Sequence, residues 1–233
     1  MIAPLGRAPN TPGWQVRVVP NLYPALERQE VVVHTPRHAR SLAELEETEV
    51  EAVASALHAR REAAVEAGFP YVQVVLNEGR AAGSSLPHSH SQLFWLREPP
   101  PAVREELPRL GQGSCGVCEV LRQERLEIAL RGDAVMLAAS AGRAPYELLI
   151  APRQHAAEPT ADGLLEAALL LRDAIKRLRA VEGAVPVNAW LHTGGHWHLE
   201  LVPRLTVFAG LELGAGIYVN SLPPEEAADR LRA

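Results

Sequence analysis

The sequence has few cysteines, few aromatic residues and no long apolar run. Only two of its 233 residues are cysteine, and aromatic residues make up 5%. Two cysteines are too few for the disulfide framework of a small secreted protein. No apolar run approaches the roughly 20 residues that span a bilayer, and residues 1–14 lack the apolar segment of a signal peptide. We therefore expect a cytoplasmic protein with no membrane partner.

An excess of positive charge is also missing. Lys and Arg total 23 while Asp and Glu total 28, which gives a formal net charge of -5. This balance gives no support for a nucleic-acid-binding surface, so we expect no nucleic-acid partner. Binding of a single nucleotide stays open, because it needs only a local site.

The order of predicted elements repeats along the chain. The first half has a strand, the motif PRH, a long helix, a strand and the motif HSHSQ. The second half has a strand, PRQH, a long helix, a strand and HWHLE. Such self-similarity is typical of a duplicated unit. We predict an α+β fold of two halves, 1–98 and 99–233, each an antiparallel sheet with packed helices.

Proline and glycine in 98–113 favour a linker between the halves. In the second half, the pattern predicts a helix near 117–130 and a last strand over 214–219. His34 and His58 are expected to be exposed or half-buried.

The HSHSQ motif follows a predicted strand and a loop of small residues. On a strand, His88, His90 and Gln92 would lie on one face. A neutral imidazole is a good nucleophile at phosphorus, and Gln92 could donate to the charge that develops on phosphoryl oxygens. A solvated edge strand with incidental histidines is the alternative.

The loop before this motif contains Asn77, Gly79, Gly83, Ser84 and Ser85. Glycine lets backbone N–H groups approach a ligand closely, which suits a phosphate. An ordinary flexible loop is the alternative.

The stretch NEGRAAGSSLPHSHSQ resembles the active-site signature of galactose-1-phosphate uridylyltransferases, a branch of the histidine-triad superfamily. The passages WQVRVVPNLYPAL, TPRH, NAWLH and GHWHLELVPRL resemble the same family, so the resemblance covers nearly the whole chain. It implies two histidine-triad-like halves and ping-pong transfer of a nucleotide between a nucleoside diphosphate sugar and a sugar 1-phosphate.

The resemblance also implies roles for individual residues. His90 would be the nucleophile that forms a nucleotidyl-histidine, and Gln92 would contact the transferring phosphoryl group. Asn21 lies where the family holds the nucleoside. The remaining substrate contacts would come from the loop, at Asn77, Gly83, Ser84 and Ser85.

The two cysteines, Cys115 and Cys118, are spaced as a metal half-site or a redox pair. With His155 and His196 they supply two thiolates and two imidazoles, the ligand set of a structural zinc site. Their order resembles zinc sites of the superfamily, and we expect one such Zn²⁺. Two buried thiols with two unrelated histidines are the alternative.

A rival metal site would use a different set of ligands. Some family members hold a second metal with a glutamate and three histidines, which would here be Glu106, His192, His196 and His198. His196 cannot serve both sites. The thiolate site is favoured, because the cysteines have no other evident role.

The sequence departs from the family near its N-terminus. Many members have an earlier C-x-x-C that completes a zinc site with two histidines, here His38 and His88, but no cysteine precedes Cys115. The first site is lost, rebuilt from other ligands, or removed with a shortened N-terminus. N-terminal residues that help to bind the nucleotide also lack counterparts.

Three functions remain open from the sequence. The first is a nucleotidyltransferase that acts on nucleotide sugars and sugar 1-phosphates through His90. The second is a phosphorylase or hydrolase of nucleoside diphosphate sugars or dinucleoside polyphosphates, which differs only in the acceptor. The third is a non-catalytic nucleotide-binding scaffold. The resemblance also implies a homodimer.

Overall fold

The computed structural model describes residues 12–111 and 113–233, so the first eleven residues of the predicted N-terminal half lie outside the described part. The described strands are β1 (Arg17–Pro20), β2 (Arg28–Val33), β3 (Tyr71–Glu78), β4 (His90–Leu96), β5 (Leu110–Gly111), β6 (Ser114–Cys115), β7 (Glu127–Arg131), β8 (Ala134–Ala138), β9 (Leu148–Pro152), β10 (Val187–His192) and β11 (His198–Pro203). The α-helices are α1 (Glu47–Glu66), α2 (Pro101–Glu106), α3 (Gly116–Val120), α4 (Ala161–Glu182), α5 (Gly210–Ala215) and α6 (Pro224–Arg232).

Nine of the described strands form one antiparallel sheet in the order β1-β2-β4-β3-β10-β11-β9-β8-β7. The central pair is β3 with β10, where Asn77 lies opposite Asn188. Outward from this pair the order is β4, β2, β1 on one side and β11, β9, β8, β7 on the other. The α+β fold and the repeated order of elements are therefore confirmed, and the sheets of the two halves join into one. The boundary between residues 98 and 99 stays a prediction.

Alternation along the strands separates the two faces of the sheet. In β3, Val72, Val74 and Leu76 enter the main core, while Val75 and Asn77 point to the opposite side. Helices α1, α4 and α6 cover the core side. The opposite side is called the open face below.

Helix α4, the long helix predicted for the second half, is bounded by residues that favour helix ends. The Thr160 hydroxyl oxygen accepts a hydrogen bond from the backbone N–H of Gly163 at 3.1 Å, which caps the first turn. Gly183 follows the last turn with φ of +76°. Its apolar residues pack into the main core because they recur at helical spacing. None of the helices in the described part of the chain is long and apolar enough to cross a membrane.

Three local expectations were wrong. The proposed linker contains α2, whose Val103 is only 1% exposed, so this segment is packed against the fold. The predicted helix near 117–130 is interrupted, because Glu127–Arg131 pairs with β8 as strand β7. The last predicted strand, 214–219, instead begins inside helix α5 and continues as irregular chain.

Helix α1 offers two valines in contrasting environments. Val50 is 0% exposed and Val65 is 60% exposed. Val50→Ala should lower the free energy of unfolding by about 1.5–3 kcal/mol, because it removes two buried carbons and leaves a cavity. Val65→Ala should change it by less than about 0.5 kcal/mol. Urea unfolding of both variants measures this difference, and equal losses would contradict the burial described here.

Candidate active site

Strand β4 carries the predicted nucleophile. Leu93 and Trp95 are buried in the main core at 0% and 2% exposure, so the alternating His90 and Gln92 lie on the open face. Two residues apart on a strand, their Cα atoms are about 7 Å apart. His88 differs from the expectation, because it precedes the strand.

The tautomer of His90 is set by a backbone carbonyl. His90 Nδ1 lies 2.8 Å from the carbonyl oxygen of His88, which can only accept, so Nδ1 carries the proton. Nε2 then keeps the lone pair that a nucleophile needs. His88 is itself held by a bond from its Nε2 to the carbonyl oxygen of Thr35 at 2.9 Å.

Gln92 and Asn77 are each hydrogen-bonded through their carbonyl oxygen. Gln29 Nε2 donates to Gln92 Oε1 at 2.6 Å. Asn188 Nδ2 donates to Asn77 Oδ1 at 2.7 Å. Both amide NH₂ groups therefore remain as donors for a ligand on the open face.

A cavity of about 210 Å³ lies against β3, the strand next to β4, and within the described part of the chain it is lined by no residue of β4 itself. Its wall includes Val75, which pairs in register with Gln92, together with Asn77. The remaining wall brings two guanidinium groups and three aromatic rings to one place, from Arg143, Arg204, Trp190, Phe208 and Tyr218. Because Arg143 is already ion-paired with Glu147 and Glu200, the cavity offers a ligand the guanidinium of Arg204 and a flat, apolar lining.

The loop after β3 has the tight geometry that its glycines allow. Gly79 has φ of +82°, and an added Cβ would lie 2.9 Å from Pro186 Cβ, so a larger residue cannot fit there. Gly83 has φ of +84° and open space around it. Ser84 and Ser85 line a second cavity of about 630 Å³ together with Arg40 and Arg80. The predicted phosphate contacts are thus divided between two cavities.

Asn21 lies in the loop that follows β1. Its backbone N–H donates to the carbonyl oxygen of Gln29 at 2.8 Å, and its Oδ1 accepts from the N–H of Tyr23 at 3.0 Å. Within the described part of the chain it is not among the residues that line either cavity. Tyr23 is 85% exposed.

The predicted zinc ligands come together. His196 Nδ1 lies 3.4 Å from Cys115 Sγ and 3.3 Å from Cys118 Sγ, and His155 Nδ1 lies 3.6 Å from Cys118 Sγ. Around a tetrahedral zinc ion with bonds of about 2.3 Å to sulfur and 2.0 Å to nitrogen, such atoms are about 3.5 Å apart. His196 Nε2 donates to the carbonyl oxygen of Pro152 at 2.9 Å, which leaves Nδ1 for a metal. These four residues could therefore hold a metal ion.

The rival metal site has a different composition from the expected one. Glu106, His192, His198 and Glu200 form it, while His196 belongs with the cysteines. Glu106 Oε2 lies 2.9 Å from His192 Nδ1, and His198 Nε2 lies 3.7 Å from Glu200 Oε1. Burial alone would raise the pKa of Glu200, but its hydrogen bond with His198 and the charge of Arg143 lower it to about 2. The guanidinium of Arg143 therefore already neutralises part of the negative charge of this cluster.

Comparisons with known proteins point to one family. The sequence model described as galactose-1-phosphate uridyl transferase, N-terminal domain, matches residues 24–100. ADP-glucose phosphorylase of Arabidopsis thaliana is 29% identical over 269 residues, covering 95% of this chain and 75% of that protein. The structure of that enzyme with bound ADP-glucose matches with a TM-score of 0.86 at 28% identity, covering 99% of this chain and 86% of the other.

The chain is thus similar over most of its length to proteins of the galactose-1-phosphate uridylyltransferase family. A second relative, the galactose-1-phosphate uridylyltransferase of Thermotoga maritima, is 25% identical over 231 residues, covering 87% of this chain and 73% of that protein. The resemblance of the sequence motifs to this branch of the histidine-triad superfamily is thereby confirmed.

Several groups of the candidate site were not predicted from the sequence. Gln29 and Asn188 were not singled out, because their partners are distant in sequence. Arg143 was not singled out either, since its pairing with Glu147, four residues away, gives no signal of a site. A run of hydrogen-bonding side chains opposite one another on neighbouring strands could have indicated the first two.

His34 is buried, so the prediction of its exposure was wrong. It is 1% exposed rather than exposed or half-buried. Its two ring nitrogens each lie 2.8 Å from a serine hydroxyl, those of Ser89 and Ser91, on the core side of β4. Burial, with smaller contributions from His90 and His88, lowers its pKa to about 3. A neutral imidazole therefore joins β2 to the strand that carries the nucleophile.

The buried His34 predicts a pH dependence of stability. An unfolded histidine takes up a proton below a pH of about 6.5, whereas the folded protein with a pKa of about 3 does not. The contribution of His34 to the free energy of unfolding is therefore complete above pH 6.5. It should fall by about 1.4 kcal/mol per pH unit below pH 6.

Urea unfolding of wild type and His34→Gln between pH 7 and pH 4.5 tests this expectation. The difference between the two proteins should shrink steadily as the pH falls, because the variant lacks the titrating ring. Parallel curves would show that His34 is protonated in the folded state too.

Proposed function

We propose that the protein transfers a nucleoside monophosphate from a nucleoside diphosphate sugar to a phosphate acceptor through a covalent intermediate on His90. The observation that carries this proposal is the hydrogen bond from His90 Nδ1 to the His88 carbonyl oxygen, with Gln92 on the same face. The bond supplies the nucleophilic tautomer, and Gln92 supplies a donor for the phosphoryl oxygens.

In the first step, His90 Nε2 attacks the α-phosphorus. A phosphorus–nitrogen bond forms and the bond from the α-phosphorus to the bridging oxygen breaks, so that the sugar 1-phosphate leaves with the electron pair. The His88 carbonyl oxygen stabilises the positive charge that develops on the ring, since Nδ1 keeps its proton. The amide NH₂ groups of Gln92 and Asn77 donate to the nucleotide phosphates.

In the second step, an oxygen of the acceptor phosphate attacks the same phosphorus. The phosphorus–nitrogen bond breaks and its electron pair returns to His90 Nε2. A sugar 1-phosphate acceptor makes the reaction a nucleotidyl exchange, our first candidate. In this proposal Asn21 contacts the nucleoside, while Gly83, Ser84 and Ser85 contact phosphates.

A phosphorylase is the second candidate function. Inorganic phosphate would then be the acceptor, and a nucleoside diphosphate would be released. The likeness to the Arabidopsis ADP-glucose phosphorylase favours this candidate. Both candidates share the first step and the residues that perform it.

The second half supports the assignment of chemistry to the first. His198 Nδ1 lies 2.8 Å from the carbonyl oxygen of His196, just as His90 does with His88. Glu200 takes the place of Gln92, and its carboxylate would repel a phosphate. One nucleotidyl-transfer site per chain follows from this difference.

Incubation with UDP-glucose or ADP-glucose carrying ³²P at the α-phosphate should label the protein. A phosphorus–nitrogen bond is acid-labile, so digestion and mass spectrometry are done at alkaline pH. Trypsin cleavage after Arg80 and Arg97 yields a peptide with His88 and His90, and the adduct should map to His90. His90→Asn should abolish the label, and the half-buried His58→Asn should retain it. Wild-type protein that stays unlabelled with both substrates would contradict the proposal.

The acceptor is identified with the labelled protein. Galactose 1-phosphate or glucose 1-phosphate should remove the label if the protein is an exchange transferase. Removal by inorganic phosphate alone would establish the phosphorylase instead. Slow loss in buffer alone would indicate a hydrolase.

We also propose that Cys115, Cys118, His155 and His196 hold one structural Zn²⁺. Two thiolates and two imidazoles at tetrahedral spacing suit zinc. A bound ion would tie the start of α3 to the end of β9 and the start of β11, and would hold that part of the fold together.

Purified protein should contain about one zinc per chain by elemental analysis. Cys115→Ser and His155→Asn should each lose the metal and unfold at lower temperature, because metal binding is coupled to folding. His58→Asn is the control that should retain it. About two metals per chain, one of them lost in Glu106→Gln, would contradict a single site.

A homodimer and a cytoplasmic location stay predictions. Large apolar side chains are exposed in two segments, with Leu22 and Tyr23 at 80% and 85%, and Val207 and Leu213 at 87% and 76%. Such groups support an interface with another chain.

A further inference from the structure

The orientation of Gln92 depends on a second amide behind it. Gln29 Oε1 accepts a hydrogen bond from the backbone N–H of Ala25 at 2.8 Å. A backbone N–H can only donate, so the oxygen of Gln29 must face Ala25 and its NH₂ group must face the other way. That NH₂ group donates to Gln92 Oε1 at 2.6 Å.

One backbone group therefore fixes the polarity of two side-chain amides. With its oxygen bonded to Gln29, Gln92 can turn only its NH₂ group toward a ligand. An amide rotated by half a turn occupies almost the same volume, so shape alone would not select this orientation. The rotated amide would place its carbonyl oxygen against an anionic phosphoryl oxygen, which is repulsive.

We infer that Gln29 is a positioning residue for nucleotidyl transfer, which keeps the donor end of Gln92 toward the transferring phosphoryl group. This inference rests on the proposed function, in which Gln92 contacts that group. Gln29 is only 7% exposed, so little water competes for its bonds. Its backbone carbonyl oxygen also accepts from Asn21 at 2.8 Å, so the same residue holds the loop assigned to the nucleoside.

The same arrangement occurs independently at the centre of the sheet. Asn188 Nδ2 donates to the carbonyl oxygen of Ala82 at 2.8 Å and to Asn77 Oδ1 at 2.7 Å. A backbone carbonyl only accepts, so the NH₂ end of Asn188 is fixed and the oxygen of Asn77 must face it. The NH₂ group of Asn77 then points away from Asn188. Both amides assigned to phosphate are oriented by this kind of contact.

Gln29→Glu tests the inference, because a carboxylate keeps the bond from Ala25 but can only accept. Gln92 must then rotate its NH₂ group toward the introduced carboxylate and present its oxygen to the phosphoryl group. Formation of nucleotidyl-His90 in a single turnover should slow about 100-fold, the usual effect of losing one oxyanion donor. The rate should recover as the pH falls and the introduced carboxyl group becomes a donor. A merely structural defect would not be reversed in this way.

Two further variants separate orientation from charge and from folding. Gln29→Met removes both bonds without adding charge, so Gln92 would take either orientation and the rate should fall only about 2- to 5-fold. Gln73→Glu is the matched control, since Gln73 lies on the same face of β3 and donates to the carbonyl oxygen of Leu191 at 2.9 Å. It adds the same charge and should slow labelling less than 5-fold. If Gln29→Glu fails to fold by circular dichroism, Gln29→Met decides.

A double-mutant cycle with Gln92→Met completes the test. In that background the change at position 29 should slow labelling no further than the charge control does, because no amide is left to orient. An equal slowing in both backgrounds would overturn the inference, as would a wild-type rate in Gln29→Glu or Gln29→Met. Unlabelled wild-type protein would instead remove the proposed function, and this inference with it.

Discussion

The chemistry proposed for this protein depends on one hydrogen bond, from a histidine ring to the backbone carbonyl of the residue two places before it. A free imidazole exchanges its proton between two nitrogens, and only one tautomer has its lone pair at the nitrogen that can reach a substrate. His90 has no such freedom, because the oxygen of His88 lies 2.8 Å from Nδ1. The carbonyl is part of the main chain, so no change of side chain at position 88 would remove it directly.

The two halves show how one backbone geometry supports different chemistry. Each half contains a histidine whose Nδ1 bonds to the backbone carbonyl of the residue two places before it. The two strands concerned, β4 and β11, flank the central pair of the sheet on opposite sides. In the first half the next residue on the same face of the strand is Gln92, whose neutral amide can donate to an anion. In the second half it is Glu200, which is held ionised by His198 and Arg143 within a buried cluster. A single change of side chain thus separates the face proposed to bind phosphate from one whose carboxylate would repel it.

The parts of the fold that depend on local pattern were predictable from the sequence. The long helix and the strand after it in the second half are present as α4 and β10, and Thr160 and Gly183 delimit α4 because capping depends on neighbouring residues. The four residues predicted to hold zinc also lie close together, as expected. Contacts between distant residues were not predictable. Gln29 and Gln92 are 63 residues apart, and Asn188 and Asn77 are 111 apart, so no local signal joins them. Strand β7 likewise forms only because β8 is available to pair with it.

The close contact between Gly79 and Pro186 fixes the position of the start of the small-residue loop. At one end the loop rests against the residue that leads into the central strand of the other half, with no room for even a methyl group. At the other end Gly83 is surrounded by open space. Asn188 of β10 also donates to the carbonyl oxygen of Ala82 within the loop. A substitution that shifts the entry to β10 at Pro186 would therefore displace the first turn of this loop as well.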